Sequence, residues 1–113
     1  MKNIITALAG IFLLLTLSSC GSNADPQYRV ANQRVDKANV QIKTSGGNTI
    51  NINGVDAGQT TAYSSVAEGN TEVTVVIQNQ SVVPTTSFYA YKDNKYTIVI
   101  LDGNPPALRV DQQ

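Results

Sequence analysis

The sequence predicts an all-β fold: a small antiparallel two-sheet sandwich of seven to eight strands over residues 28–113, after an N-terminal export segment. Three observations carry this expectation. From Tyr28 onward apolar residues alternate with polar ones at period two, and no stretch sustains a helical period. Clusters such as Ser45-Gly46-Gly47-Asn48, Glu68-Gly69-Asn70, Lys92-Asp93-Asn94 and Asp102-Gly103-Asn104 break the chain every few residues with turn-forming types. One run, Tyr96-Thr97-Ile98-Val99-Ile100-Leu101, is apolar at nearly every position, as expected of a central strand covered on both faces. A single open sheet would leave one face of that strand wet, so a second layer is required.

Taken in order, the predicted strands are 28–32, 38–44, 49–53, 60–66, 72–78, 85–91, 95–101 and 107–110. Tyr28 and Val30 open the first. Val40 and Ile42 oppose Asn39, Gln41 and Lys43 in the second, and Ile50 and Ile52 oppose Thr49, Asn51 and Asn53 in the third, with Asn53-Gly54 read as its closing turn. The fourth, from Thr60 to Val66, is rich in Thr and Ser. Val73, Val75 and Ile77 give the fifth its buried face. The sixth carries Phe88-Tyr89-Ala90-Tyr91, which puts Tyr89 and Tyr91 on one face and Phe88 on the other. The seventh is the apolar run, and Pro105-Pro106 block ladder pairing before a short last strand.

Ahead of the strands, residues 1–19 have the pattern of a removable export signal. Lys2 gives a positive start and an apolar run follows from Ile4 to Leu17. Crossing the bilayer hydrocarbon as a helix takes roughly 20 residues, and this run is shorter. It matches the roughly 7–15 apolar residues of a signal-peptide centre. The run ends in Leu17-Ser18-Ser19-Cys20, which resembles the lipobox of bacterial lipoproteins: an aliphatic residue, two small residues for signal-peptidase recognition, then the cysteine. The resemblance implies cleavage before Cys20, a diacylglyceryl thioether on its sulfur, and palmitate-like acyl chains holding the mature protein in a membrane. Two or more such chains give stable attachment where one gives only marginal binding. Residues 20–27 then read as the lipidated cysteine and a flexible polar tether. Gly21, rather than Asp, after the cysteine favours the outer membrane of a host that has two, by resemblance to known sorting rules.

The order of strands and turns resembles the exported bacterial family called domain of unknown function 4397. The residues that carry the likeness are Tyr28-Arg29-Val30-Ala31-Asn32, Ala38-Asn39-Val40-Gln41-Ile42, Ile52-Asn53-Gly54-Val55, Tyr63 to Gly69 leading into Val73-Thr74-Val75, and Lys95-Tyr96-Thr97-Ile98-Val99. The chain departs from that family at Gln33-Arg34-Val35-Asp36-Lys37, where a Ser-Pro loop is common. Transthyretin-like and immunoglobulin-like modules share the same cadence. The resemblance implies a sandwich and transfers no activity.

Composition narrows the chemistry. The sequence has no His and no Trp, and its one Cys is Cys20. A Ser-His-Asp triad, a His- or thiolate-based zinc site and a disulfide are therefore unavailable. Without Lys2, acidic side chains outnumber basic ones by one, which does not suit nucleic acid. The eight carboxylates fall mostly in turns or on outward strand positions, and no spacing matches a calcium loop. The expectation is a non-catalytic envelope domain without cofactor or metal, anchored to a membrane by its lipid and touching a glycan or another envelope protein. An accessory chaperone or inhibitor subunit is the alternative, and a carboxylate-based hydrolase ranks third. Tyr89, Tyr91 and Tyr96, the last arriving across the 92–94 turn, form the expected binding platform. The stretches 60–65 and 82–87 are candidate edges for an added strand.

Overall fold

The computed structural model describes residues 23–113. The expected export signal over residues 1–19, with Leu17, Ser18 and Ser19, and the expected lipidation site Cys20 lie outside the described residues. Eight strands form: β1 (Gln27–Asn32), β2 (Ala38–Lys43), β3 (Thr49–Val55), β4 (Ser64–Ser65), β5 (Gly69–Ile77), β6 (Thr85–Ala90), β7 (Lys95–Ile100) and β8 (Leu108–Gln112). They build two four-stranded sheets, ordered β4-β1-β7-β8 and β3-β2-β5-β6. The two pack as a sandwich, as the alternation requires.

The period-two pattern sets the faces. Val40 and Ile42 of β2, Val73, Val75 and Ile77 of β5, and Tyr28 and Val30 of β1 point into one core with Ile98 and Ile100 of β7. The run in β7 is buried on both faces from Tyr96 to Ile100. Its inner residues meet the opposite sheet, while Thr97 and Val99 face outward between Arg29 and Ala31 of β1 and Asp111 and Arg109 of β8. Burying an aliphatic side chain of this size contributes about 1.5–3 kcal/mol, and with a single Cys in the sequence no intrachain disulfide adds to it.

Several expectations need correction. The sandwich is not wholly antiparallel: β1 runs parallel to β7, in register from Gln27 beside Lys95 to Asn32 beside Ile100. Asn53-Gly54 is not a turn but a bulge inside β3, where the register shifts opposite Ala38 and Val40. Gly54 takes a φ of 75° there, and its N–H donates to Asn39 Oδ1 at 2.7 Å, so the strand kinks and continues to Val55. The fourth strand shrinks to Ser64–Ser65, preceded by one isolated bridge between Ala31 and Thr60. Between them the ladder is irregular: Thr61 N donates to Val30 O at 2.9 Å and Thr61 Oγ1 accepts from Val30 N at 3.0 Å, and Tyr63 lies against the cations of Arg29 and Lys95, 4.7 and 4.9 Å from its ring centre.

The topology gives the sandwich two distinct poles. Parallel β1 and β7 start at one pole, which the chain enters at Ala24, and there the 44–48 and 91–94 turns and Gln113 also lie. The 33–37, 56–59, 78–84 and 101–107 loops lie at the other, and residues 60–63 run back along β1 toward the first pole, where Tyr63 Oη donates to Gln113 Oε1 at 2.7 Å. That far pole is tied by two buried polar side chains. Asn32 Nδ2 donates to the carbonyls of Asp36 and Val55 at 2.8 and 3.1 Å, and its Oδ1 accepts from Arg34 N at 3.0 Å. Arg34 Nη1 donates to Leu101 O at 2.9 Å and to Gly103 O at 2.8 Å.

Candidate functional site

Strand β6 sorts its aromatic residues as alternation requires. Phe88 packs against the core, while Tyr89 and Tyr91 stay 44% and 54% exposed. Their rings stack with centroids 4.5 Å apart and planes tilted by 44°, a geometry worth about 0.5–1.5 kcal/mol beyond area burial. Tyr96 does not join them. It is only 3% exposed, lies 4.9 Å from the Phe88 ring, and its Oη accepts a hydrogen bond from Tyr91 N at 2.8 Å. The reason is topological: the turn from β6 to β7 passes from one sheet to the other, so residues flanking it end on different layers instead of pairing as in a hairpin. The expected three-tyrosine platform is a two-tyrosine one, supported from beneath by Tyr96.

The expected tether is also shorter. Ala24 N donates to Asp93 Oδ1 at 2.9 Å, and Asp93 N donates to Ala24 O at 2.9 Å. Lys92 Nζ lies 3.3 Å from Asp25 Oδ1. Pro26 is fully buried and its carbonyl accepts from Val66 N at 2.9 Å. Gln27 is already the first residue of β1. Asp93 holds this clamp with a φ of 65°, a backbone region that Asp tolerates better than most residues. The chain is therefore fastened to the 92–94 turn from Ala24 onward, and the span 24–27 belongs to the domain.

A second surface was not singled out by the sequence reading. On the outer face of the β3-β2-β5-β6 sheet, register brings Gln41 beside Asn51 and Thr74. Asn53 is part of the bulge, and Asn39 faces it from β2. Together with Val76 these residues line a shallow depression of about 180 Å³. Asn39 Oδ1 is occupied by Gly54 N, while the carboxamides of Gln41, Asn51 and Asn53 are exposed. A carboxamide carries two donors and an acceptor on one planar group, so this patch can pair with vicinal hydroxyls. The sequence signal was present in the outward Asn and Gln positions of the second and third strands. Seeing that they converge requires the strand order.

The carboxylates do not form a comparable feature. Asp25, Asp56 and Asp111 each lie within 3.6 Å of Lys92, Lys37 and Arg109 respectively, exposed pairs that contribute little to stability. Hydrogen bonding and charge from Asp111 raise the Arg109 pKa above its usual range. Burial likewise raises that of Tyr28, partly offset by a hydrogen bond with Ser64. Among the described residues no group of three or more metal-ligating side chains occurs, and no helix is long and apolar enough to cross a membrane. A larger groove of about 320 Å³, lined by Asp25, Ile50, Ser65 and Val66 among others, opens at the N-terminal pole between the edges of the two sheets. Of the two candidate edges, 60–65 lies along β1, and in 82–87 Pro84 is buried, with its carbonyl accepting from Val75 N.

No family model matches the chain, and no curated protein matches it. Among solved structures it is similar to a protein from Eubacterium rectale determined by NMR. The likeness has a TM-score of 0.61 at 17% identity and covers 84% of this chain and 94% of that one. At that identity the likeness shows the fold alone.

Proposed function

We propose that this chain is a lipid-anchored envelope protein whose sandwich binds a glycan without catalysis, in the manner of an exported accessory domain such as those of the domain of unknown function 4397 family it resembles in sequence. The anchor is read from Leu17-Ser18-Ser19-Cys20, and an outer-membrane location from Gly21. The observation that carries the binding role is the depression where Gln41, Asn51 and Asn53 present exposed carboxamides beside Thr74. Each carboxamide–hydroxyl hydrogen bond contributes about 0.5–1.5 kcal/mol net, so several are needed for useful affinity, and a polymeric ligand spanning the sheet supplies them. Glycan-array binding of the detergent-solubilised mature protein tests this. Retention of a polysaccharide class is expected, and the double variant Gln41→Ala, Asn51→Ala should bind about 5- to 150-fold more weakly, as the loss of roughly 1–3 kcal/mol requires. Both positions are on the surface, where such changes shift stability by only about 0.5 kcal/mol. Equal binding by the double variant, or no retention of any glycan, would contradict the proposal.

A second reading, an accessory subunit that accepts a strand from a partner, is supported by β3. It is an edge strand whose sequence, Thr-Ile-Asn-Ile-Asn-Gly-Val, holds neither charge nor Pro, so of the devices that usually guard an edge it has only the bulge at Asn53-Gly54, near its far end. Co-purification of a stoichiometric protein partner after mild detergent extraction would favour it over glycan binding.

A further inference from the structure

We infer that the Tyr89–Tyr91 pair is a bilayer contact, which stands the sandwich on its membrane with the N-terminal pole down. The inference rests on the lipid-anchored reading and adds an orientation to it.

The clamp at Ala24 sets the geometry. Because Ala24 is doubly hydrogen-bonded to Asp93, the chain outside the domain is only the four peptide steps from Cys20. Fully extended, at about 3.6 Å per residue, they reach about 14 Å. The headgroup layer on one side of a bilayer is about 5–8 Å thick, and a thioether to diacylglycerol places Cys20 at its inner boundary. Even at full stretch, Ala24 and Asp93 stand within about 10 Å of the headgroup surface. Any less extended path brings them into the layer itself.

The two exposed tyrosines lie beside that clamp. Tyr91 precedes Asp93 by two residues and Tyr89 stacks on it, so both hang at the rim of the pole that the lipid holds down. A tyrosine has an apolar body and a polar tip, and such side chains concentrate at the headgroup level of membranes. Charge is nearly balanced at this pole, with one acidic side chain in excess: Lys43, Lys92 and Lys95 stand with Asp25, Glu68, Glu72 and Asp93. The contact therefore depends on the rings rather than on anionic lipid. In this orientation the carboxamide face is lifted clear of the membrane. Asn70 pairs with Tyr89, while Thr74 and Val76, which line the depression, are farther along β5 by about 14–20 Å.

The absence of Trp from the chain makes the test direct. Full-length lipidated Tyr91→Trp and Val35→Trp variants are reconstituted into phosphatidylcholine vesicles with or without bromine on the acyl chains near the headgroup. Val35 is 81% exposed in a far-pole loop, so both indoles sit on the surface. The expected result is flotation of both with the vesicles and loss of about half the emission of Tyr91→Trp in brominated lipid, with Val35→Trp almost unchanged, as an interfacial ring requires. The same result is expected when anionic lipid is added. Flotation with an unquenched Tyr91→Trp, or equal quenching of both variants, overturns the bilayer contact while leaving the anchor intact. Failure of both to float overturns the anchored reading on which the contact rests.

Discussion

An Arg34→Met variant is expected to unfold with about 3 kcal/mol less free energy than the parent chain. Arg34 is only 6% exposed and its Nη1 donates to two carbonyls, Leu101 O and Gly103 O. Its Nη2 lies 4.0 Å from Asp36 Oδ2. Methionine keeps the apolar stem but leaves both carbonyls without their donor. Hydrogen bonds from a charged group are worth about 1.5–3 kcal/mol each, and relief of the guanidinium's desolvation, together with its unpartnered Nε, offsets part of that loss. Against a total stability of about 5–15 kcal/mol for a small domain, the remainder is large. Arg34→Lys should recover little, because a single ammonium does not reproduce the planar guanidinium fork. Denaturant unfolding measures this, and a loss under about 0.5 kcal/mol for Arg34→Met, the range of ordinary surface changes, would show that the far pole does not depend on this side chain.

Gly69→Ala is expected to cost a similar amount, about 3 kcal/mol, for a different reason. Gly69 opens β5 with a φ of 128°, where a side chain is strained by about 1–3 kcal/mol. A Cβ there would also lie 2.5 Å from Ser45 Oγ and 2.6 Å from Ser45 Cβ, so the serine must move and its hydrogen bond to Glu68 O, now 2.6 Å, is lost. A double-mutant cycle separates the two effects. Ser45→Gly in the Gly69→Ala background should relieve the steric overlap while leaving the backbone strain and the lost hydrogen bond to Glu68 O. If Gly69→Ala alone is neutral by thermal unfolding, the close approach of the 44–48 turn to the start of β5 is not what fixes the strand entry.

The sandwich and the faces of its strands were legible because alternation at period two reports directly which residues are buried. The both-sided burial of β7 followed from its unbroken apolar run. The pattern does not report which sheet a strand joins, and the errors trace to that. By sequence spacing Tyr96 neighbours Tyr91 across a tight turn, but that turn changes sheets and carries Tyr96 into the core. Asn53-Gly54 has the composition of a hairpin turn and serves as a bulge, since both need a glycine at positive φ. The stretch from Thr60 to Val66 has strand-forming residue types without an apolar face, so it pairs only at its ends. Polar residues with long-range partners were the least visible. Nothing local marks Arg34 as buried, or tells that Asp93 reaches back to Ala24, because the contacts span 67 and 69 residues. The carboxamide face needed the strand order before its four members could be seen together.

The proposed orientation on a membrane, and the proposed presentation of the carboxamide face away from it, both depend on attachment at one sulfur atom, that of Cys20. Mass spectrometry of the amino-terminal peptide of the protein purified from its host's membranes tests that attachment directly. The expected peptide begins at Cys20 and carries a diacylglyceryl group on the thiol. A peptide that begins at Met1, or one that holds Cys20 as an unmodified thiol, would contradict it.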